Sequence, residues 1–220
     1  MQNLLTGKMR PDGSWRNEDE FVFTKRGLLP KDWKYVRINQ ISTTFSGATP
    51  SRSNDNYFFG HIPWVKSGEV NQSFIFDTEE KISEEAFKSS STKWVEPETI
   101  LFAMYGATAG QLSILKIKAC TNQAVLAIPI DSPDEYSREF VLFAIERIIP
   151  FLISICQGSG QPNLSKSIID KSYLAVPISK KEQEKISQYI LSVLHNIDTK
   201  NYQIEKLLSL KKSLMQNLLS

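Results

Sequence analysis

Three observations along this 220-residue chain predict an α+β fold: a globular mixed domain followed by a long C-terminal coiled-coil helix. Short β-type apolar runs, Ile62-Pro63-Trp64-Val65 and Phe74-Ile75-Phe76, sit in a stretch of mixed pattern from Lys34 to about Pro177. Apolar residues at helical spacing run from Ser137 to Ile155. The final segment, from Ser179 to Ser220, holds neither Gly nor Pro. The expected organisation is a lead-in over residues 1–30, a globular domain over 31–178 and a helix over 179–220.

The lead-in is expected to be irregular, with a turn at Pro11-Asp12-Gly13-Ser14 and a short strand at Phe21-Val22-Phe23. Leu29-Pro30-Lys31-Asp32-Trp33 opens the globular part, and Tyr35 to Ile41 alternates weakly. Ser83 to Ser89 reads as a helix, with Ser83 as N-cap and Glu84-Glu85 in the first turn, where the helix dipole favours negative charge. Thr99 to Tyr105 and Gln111 to Leu115 read as strands joined by the turn Gly106-Ala107-Thr108-Ala109-Gly110. Ala124 to Ile130 is a further strand. The helix from Ser137 should end or kink at Pro150, which lacks the amide donor. Gly158 to Pro162 is a loop, followed by a short helix (Ser165 to Asp170) and a strand (Tyr173 to Val176).

Ser179-Lys180-Lys181-Glu182 has the form of a capping box, in which Glu182 reaches back to the Ser179 amide. Heptad positions then fall on Ile190, Val193, Ile197, Lys200, Ile204, Leu207, Lys211, Leu214 and Leu218, seven of nine apolar. Leu194, Leu208 and Met215 widen the stripe. About 40 residues make a rod of roughly 60 Å. One domain cannot cover all of it, so the helix should pair with a partner helix or with its own copy. Ile190, Val193, Ile197, Ile204, Leu207, Leu214 and Leu218 are the expected contact residues. Met215-Gln216-Asn217-Leu218-Leu219 also recurs as Met1-Gln2-Asn3-Leu4-Leu5, as if the chain were one unit of a two-unit design.

Composition excludes several classes. No apolar run is long enough to span a membrane, and the N-terminus lacks the regions of a signal peptide, which makes a cytoplasmic location the expectation. Cys120 and Cys156 have no CxxC spacing and no nearby His, so neither a disulfide framework nor a zinc site is expected. There is no P-loop, no dinucleotide fingerprint, no GxSxG and no HExxH. The Asn- or Asp-Pro-Pro loop of an adenine methyltransferase is absent, because the chain has no Pro-Pro. A binding module outranks an enzyme, with no catalytic residues and no cofactor of its own.

The net charge of +2 is unevenly spread. Lys180 to Lys212 carries seven lysines against four acids. Elsewhere acids cluster from Asp77 to Glu98 and bases from Lys8 to Arg37, joined by Arg52 and Lys66. A bipolar domain could turn one positive face to phosphate.

Several segments in order then carry a resemblance. They are Leu29-Pro30 with Trp33; Gly47-Ala48-Thr49-Pro50-Ser51; and Ile62-Pro63-Trp64-Val65-Lys66-Ser67-Gly68-Glu69. Tyr105 to Gly110, Thr121-Asn122-Gln123-Ala124, Gly158 to Leu164, Val176-Pro177, Glu182-Gln183, Ile186 and the terminal Leu210 to Leu219 follow. The chain resembles the specificity subunit of type I restriction–modification enzymes, in a half-length form or as a C-terminal half. Ala109 departs from the β-branched residue often found there.

The resemblance implies one target-recognition domain reading half of a split site in double-stranded DNA. The helix would set the gap and dock adenine-N6 methyltransferase subunits, which bind S-adenosylmethionine, alongside a restriction subunit. A lone unit would restore the parent symmetry as a homodimer. The residues expected at DNA are Arg52, Asn54 and Asn56, which can bond base edges. Lys66, Lys93, Tyr105, Ser159 and Gln161 are expected at phosphate. Gly47, Gly106 and Gly110 are expected in turns, and Pro63, Trp64 and Ile100 in packing. The alternative is a helical adaptor protein that binds no DNA.

Overall fold

The computed structural model describes residues 1–156 and 164–219, with side chains through Gln216. The fold is α+β, as expected. The lead-in holds a short helix, α1 (Gln2–Leu5), and a hairpin of β1 (Phe21–Thr24) and β2 (Gly27–Pro30). Leu4 and Leu5 are buried in the same cluster as the domain's main core. β3 (Trp33–Arg37) runs into α2 (Ile38–Ile41), so the alternation stops at Arg37 and the chain coils. Next come β4 (Phe45–Ser46), β5 (Ile62–Val65), β6 (Phe74–Ile75) and β7 (Glu80–Ile82). α3 (Glu84–Ser89) starts where Ser83 accepts a bond from the Ala86 amide, the expected cap.

After α3 come β8 (Trp94–Val95), β9 (Ile100–Ala103), β10 (Leu112–Leu115), β11 (Ala119–Thr121) and β12 (Val125–Ile128). α4 (Arg138–Cys156), α5 (Lys166–Lys171), β13 (Tyr173–Pro177) and α6 (Lys180–Leu219) complete the chain. α4 continues through Pro150 rather than ending there. Its buried face holds it to the core before the proline, from Phe140 to Ile145, and after it, at Leu152.

Two sheets form the centre. One has the order β4-β12-β9-β10-β6 and the other β7-β5-β11-β8. β9 and β12 are buried on both faces, which is why they read as continuous apolar runs. Period-two alternation divides them. Ile100, Phe102, Leu126 and Ile128 face α4 and the base of α6, while Leu101, Ala103, Val125 and Ala127 face the second sheet. On that sheet's outer side, Ile62, Trp64, Ile82 and Cys120 pack with Ala86 of α3. The layers are therefore helix, sheet, sheet and short helix. Burial pushes the Cys120 thiol up to about 11.

Three glycines explain close backbone geometry. Gly106 and Gly110 have φ of +88° and +87°, the left-handed region that the β9–β10 turn requires. Gly47 is not needed for a turn. A Cβ there would lie 1.8 Å from the Thr121 carbonyl oxygen, so it permits a strand crossing that no side chain could.

α6 is fixed to the domain by its first three turns. The Gln183 amide donates to the carbonyls of Pro177 (2.9 Å) and Glu135 (3.1 Å), and its oxygen accepts from the Ser137 amide (2.9 Å). Glu182 does not close a capping box. Its carboxylate accepts from Arg16 (2.8 Å) and Trp33 (3.3 Å), because the buried Arg16 guanidinium is a stronger partner than a backbone amide at an exposed helix start. Arg16 also donates to the Gly7 carbonyl and to Asp32, tying the lead-in to the helix. Among the described residues, no helix is long and apolar enough to cross a membrane.

Gln183→Leu keeps the volume but removes all three bonds. It should destabilise the fold by about 3 kcal/mol, since buried polar groups without partners cost ~1–3 kcal/mol each. Urea unfolding checks this, and a loss under about 1 kcal/mol would mean that water replaces the amide.

Candidate nucleic-acid interface

The expected DNA residues divide into one assembled group and scattered remainders. The Arg52 guanidinium carbon lies over Phe58, 3.9 Å from the ring centroid, and over Trp64 at 5.3 Å. Its guanidinium pairs with Glu80 at 2.8 Å. Lys66 pairs with the other oxygen of the same carboxylate at 3.0 Å and with Glu79 at 2.8 Å. Burial works against the Glu80 carboxylate, yet Arg52 and Lys66 hold it below the ordinary carboxylate range. The Glu79 and Glu80 bonds raise Lys66 above its ordinary value despite burial.

Asn54 follows on the same loop. Its side chain accepts from the Asn56 amide and caps a single 3-10 turn, leaving Asn56 exposed. The turn after Tyr105 joins this group, because Thr108 donates to the Ser67 carbonyl at 2.8 Å. Burial pushes the Tyr105 hydroxyl above its usual value.

Arg52, Lys66 and the turn after Tyr105 are thus linked through Glu80 and Ser67, with Asn54 and Asn56 following Arg52 on its loop. Lys93 does not join them. It precedes β8, at the opposite edge of the four-stranded sheet from β7, and is exposed with its ammonium 5.7 Å from the Phe45 ring. Ser159 and Gln161 lie outside the described residues.

Two supporting residues had no role assigned from the sequence: Glu69, which ends the segment over residues 62–69, and Thr78. Glu69 is buried, and its two carboxylate oxygens accept the amides of Lys66 (2.8 Å) and Glu79 (2.9 Å). Thr78 accepts from the Trp64 amide and donates to the Glu80 carbonyl. Together they clamp the loop carrying Lys66 to the strand carrying Glu80. The signals in the sequence were the segment ending at Glu69 and the acid cluster beginning at Asp77, which is where the Arg52 and Lys66 charges are answered.

The second surface is the helix. Gln183, Ile186, Ser187 and Ile190 are buried against the domain, and from Leu191 through Gln216 every residue is exposed. Ile190, expected at a partner, therefore belongs to this chain's own core at 2% exposure. The free face begins beyond it. Val193, Ile197, Ile204, Leu207 and Leu214 are 40% to 65% exposed, with Leu194, Leu208 and Met215 beside them. The Leu218 side chain lies outside the described side chains. Some 29 residues project roughly 43 Å beyond the domain.

Comparison with known proteins follows the same outline. The model of the family described as type I restriction modification DNA specificity domain matches residues 30–209. The chain is 32% identical over 201 residues to the type I restriction enzyme MjaIX specificity subunit of Methanocaldococcus jannaschii, covering 88% of this chain and 46% of that protein. It is 24% identical over 207 residues to the HindI specificity subunit of Haemophilus influenzae, covering 92% and 44%. The fold is shared with the HsdS subunit from Thermoanaerobacter tengcongensis, at a TM-score of 0.64 and 16% identity over 84% of this chain and 43% of that one. The chain spans about half the length of the curated relatives it matches. With the family model covering the globular part and most of the helix, this chain belongs to the type I restriction–modification DNA specificity family.

Proposed function

We propose that this chain is the DNA-reading unit of a type I restriction–modification complex, reading one half of a bipartite site in double-stranded DNA. It acts in the cytoplasm and carries out no chemistry itself. Methyl transfer to adenine belongs to partner methyltransferase subunits, which bind S-adenosylmethionine, and cleavage belongs to a restriction subunit. The observation that carries the reading is the pairing of a family-matched recognition domain with an apolar helix face that the domain leaves bare.

Such a face, ~36 Å from Leu191 to Met215, is unstable in water unless covered. The helix of a second copy presents the same stripe, so a two-fold pairing covers both at once. Antiparallel pairing would place two recognition domains at opposite ends and make the helix the ruler between half-sites. Methyltransferase subunits would dock along the same rod.

In the domain, Arg52 is the leading base reader. Stacking on Phe58 and pairing with Glu80 restrict its guanidinium to one plane, which lowers the ordering cost of a bidentate bond to a guanine edge.

Methylation mapping tests the function. The chain is combined with its methyltransferase subunit and S-adenosylmethionine, and treated DNA is read for N6-methyladenine. A split palindromic motif is expected from a homodimer. A split asymmetric motif that needs a second half-subunit would keep the function and remove the homodimer. No methylation, with a methyltransferase shown competent beside another specificity subunit, would leave an adaptor that binds no DNA.

Deleting Leu194 to Lys200 removes one heptad wholly within the projecting segment. It should shorten the gap between half-sites by about three base pairs, from ~10 Å of helix. An unaltered gap in the methylated motif would show that the helix is not the ruler.

Arg52→Ala should weaken specific binding by ~1–3 kcal/mol and relax one base position. Glu80→Gln should loosen Arg52, lowering specific affinity while raising affinity for random duplex. Unchanged affinity and site preference in Arg52→Ala, measured by competition binding, would remove Arg52 as a reader.

A further inference from the structure

The chain has seven arginines, and four of them have carboxylate partners: Arg10 with Glu20, Arg16 with Asp32 and Glu182, Arg52 with Glu80, and Arg138 with Glu98 and Glu139. Among the described residues, Arg26, Arg37 and Arg147 have none. Residues 157–163, Gln-Gly-Ser-Gly-Gln-Pro-Asn, contain no acid that could supply one.

All three lie about one pair of tyrosines, Tyr35 and Tyr173. Strand pairing sets Arg37 opposite Tyr173 and Tyr35 opposite Ala175, so Arg37, Tyr35 and Tyr173 share one face of the β3–β13 ribbon. The tip of the β1–β2 hairpin reaches this face. The Arg26 guanidinium lies 3.5 Å from the Tyr173 ring centroid and 6.0 Å from that of Tyr35, and the Tyr35 hydroxyl donates to the Arg26 carbonyl at 3.4 Å. Arg37 lies 5.0 Å from the Tyr173 centroid, and its Nε donates to the Tyr173 hydroxyl at 2.8 Å. Arg147 comes from α4, which packs on β13, and is close enough to Tyr35 to feel its hydroxyl. Its Nε is buried and has no hydrogen-bond partner among the described residues.

The Arg26 and Arg37 guanidiniums share the Tyr173 ring without a carboxylate partner and repel one another, and burying Arg147 without a partner for its Nε adds a desolvation cost. Stacking on two tyrosines offsets part of this and holds the planar forks in place. What the arrangement lacks is an anion with several acceptor oxygens. Phosphate fits a guanidinium fork bidentately, and the Tyr173 hydroxyl, which accepts from Arg37, keeps its own hydrogen to donate to it. A phosphodiester suits it better than an acidic protein surface. The uncompensated groups are arginines alone, whereas a protein contact of this kind needs carboxylates placed to match each fork.

We infer that Arg26, Arg37 and Arg147, on the Tyr35–Tyr173 platform, form a phosphate-binding site that grips the DNA backbone outside the Arg52 loop group. This rests on the DNA reading proposed above. The site positions the duplex and carries no sequence information.

The test compares the wild-type chain with Arg26→Ala/Arg37→Ala on random-sequence duplex over a range of salt. Both residues are exposed, and a thermal melt establishes that the double variant is folded. Losing two phosphate contacts should lower the slope of log affinity against log salt by about 1.8. The charge-retaining pair Arg26→Lys/Arg37→Lys should keep the slope and lose affinity. The methylated motif should not change in either variant.

An unchanged slope in the alanine variant, with wild type binding duplex, would overturn this site and leave the DNA reading intact. If wild type bound no duplex at all, the DNA reading itself would fall. Inorganic phosphate is the second arm, followed by the NMR shifts of the arginine Nε groups. Saturable binding there with an unchanged DNA slope would make it a small-anion site. Loss of methyltransferase assembly with an unchanged slope would make it a protein contact. Either result overturns the inference.

Discussion

Gln183 is the point on which the architecture turns. Its amide is buried and uses both functional atoms to bond three backbone groups from two segments: Pro177 at the end of β13, and Glu135 and Ser137 in the loop that leads into α4. A helix that must project into solvent cannot be held by a long apolar contact. It has to be fixed near its base by directional bonds that set an angle. Glu182, next along the helix, adds the bonds from Arg16 and Trp33. The direction of the whole rod is therefore set within its first three turns. Any geometry that depends on the far end inherits that precision.

The domain uses its cations in two ways. Around Arg52 and Lys66 every charge is answered, and the Glu79–Glu80 pair limits where each side chain can point. Such a group is suited to selection, since a base must offer better geometry than the internal partner it displaces. Around Tyr35 and Tyr173 the arginines stay unanswered, which suits a contact that needs charge and little discrimination.

The helical and strand periods that are long, or buried on both faces, were legible. β9, β10, β12, α3, α5 and α6 correspond to runs whose apolar pattern or serine cap stands on its own. The two-residue strands β4 and β8 were not read, because two residues carry no period and their pairing partners are distant in sequence. Gly47 looked like a turn residue. Its reason is the Thr121 carbonyl, more than seventy positions away. Loop position and residue type selected Arg52, Asn54, Asn56 and Lys66 as candidates, and the structure joins Arg52 and Lys66 through Glu80. The acids that restrain Arg52 and Lys66, Glu79 and Glu80, lie in the acid cluster that begins at Asp77, but composition does not say which cations they meet.

By itself the sequence determined the fold class, the family resemblance and a terminal helix too apolar for one domain to cover, since these depend on local period, spacing and order. Only the tertiary structure decided where the free helix face starts, beyond Ile190 rather than at it. It alone decided which cations are neutralised. Charge partnership depends on distances between segments that packing brings together, and a linear count of acids and bases does not contain those distances.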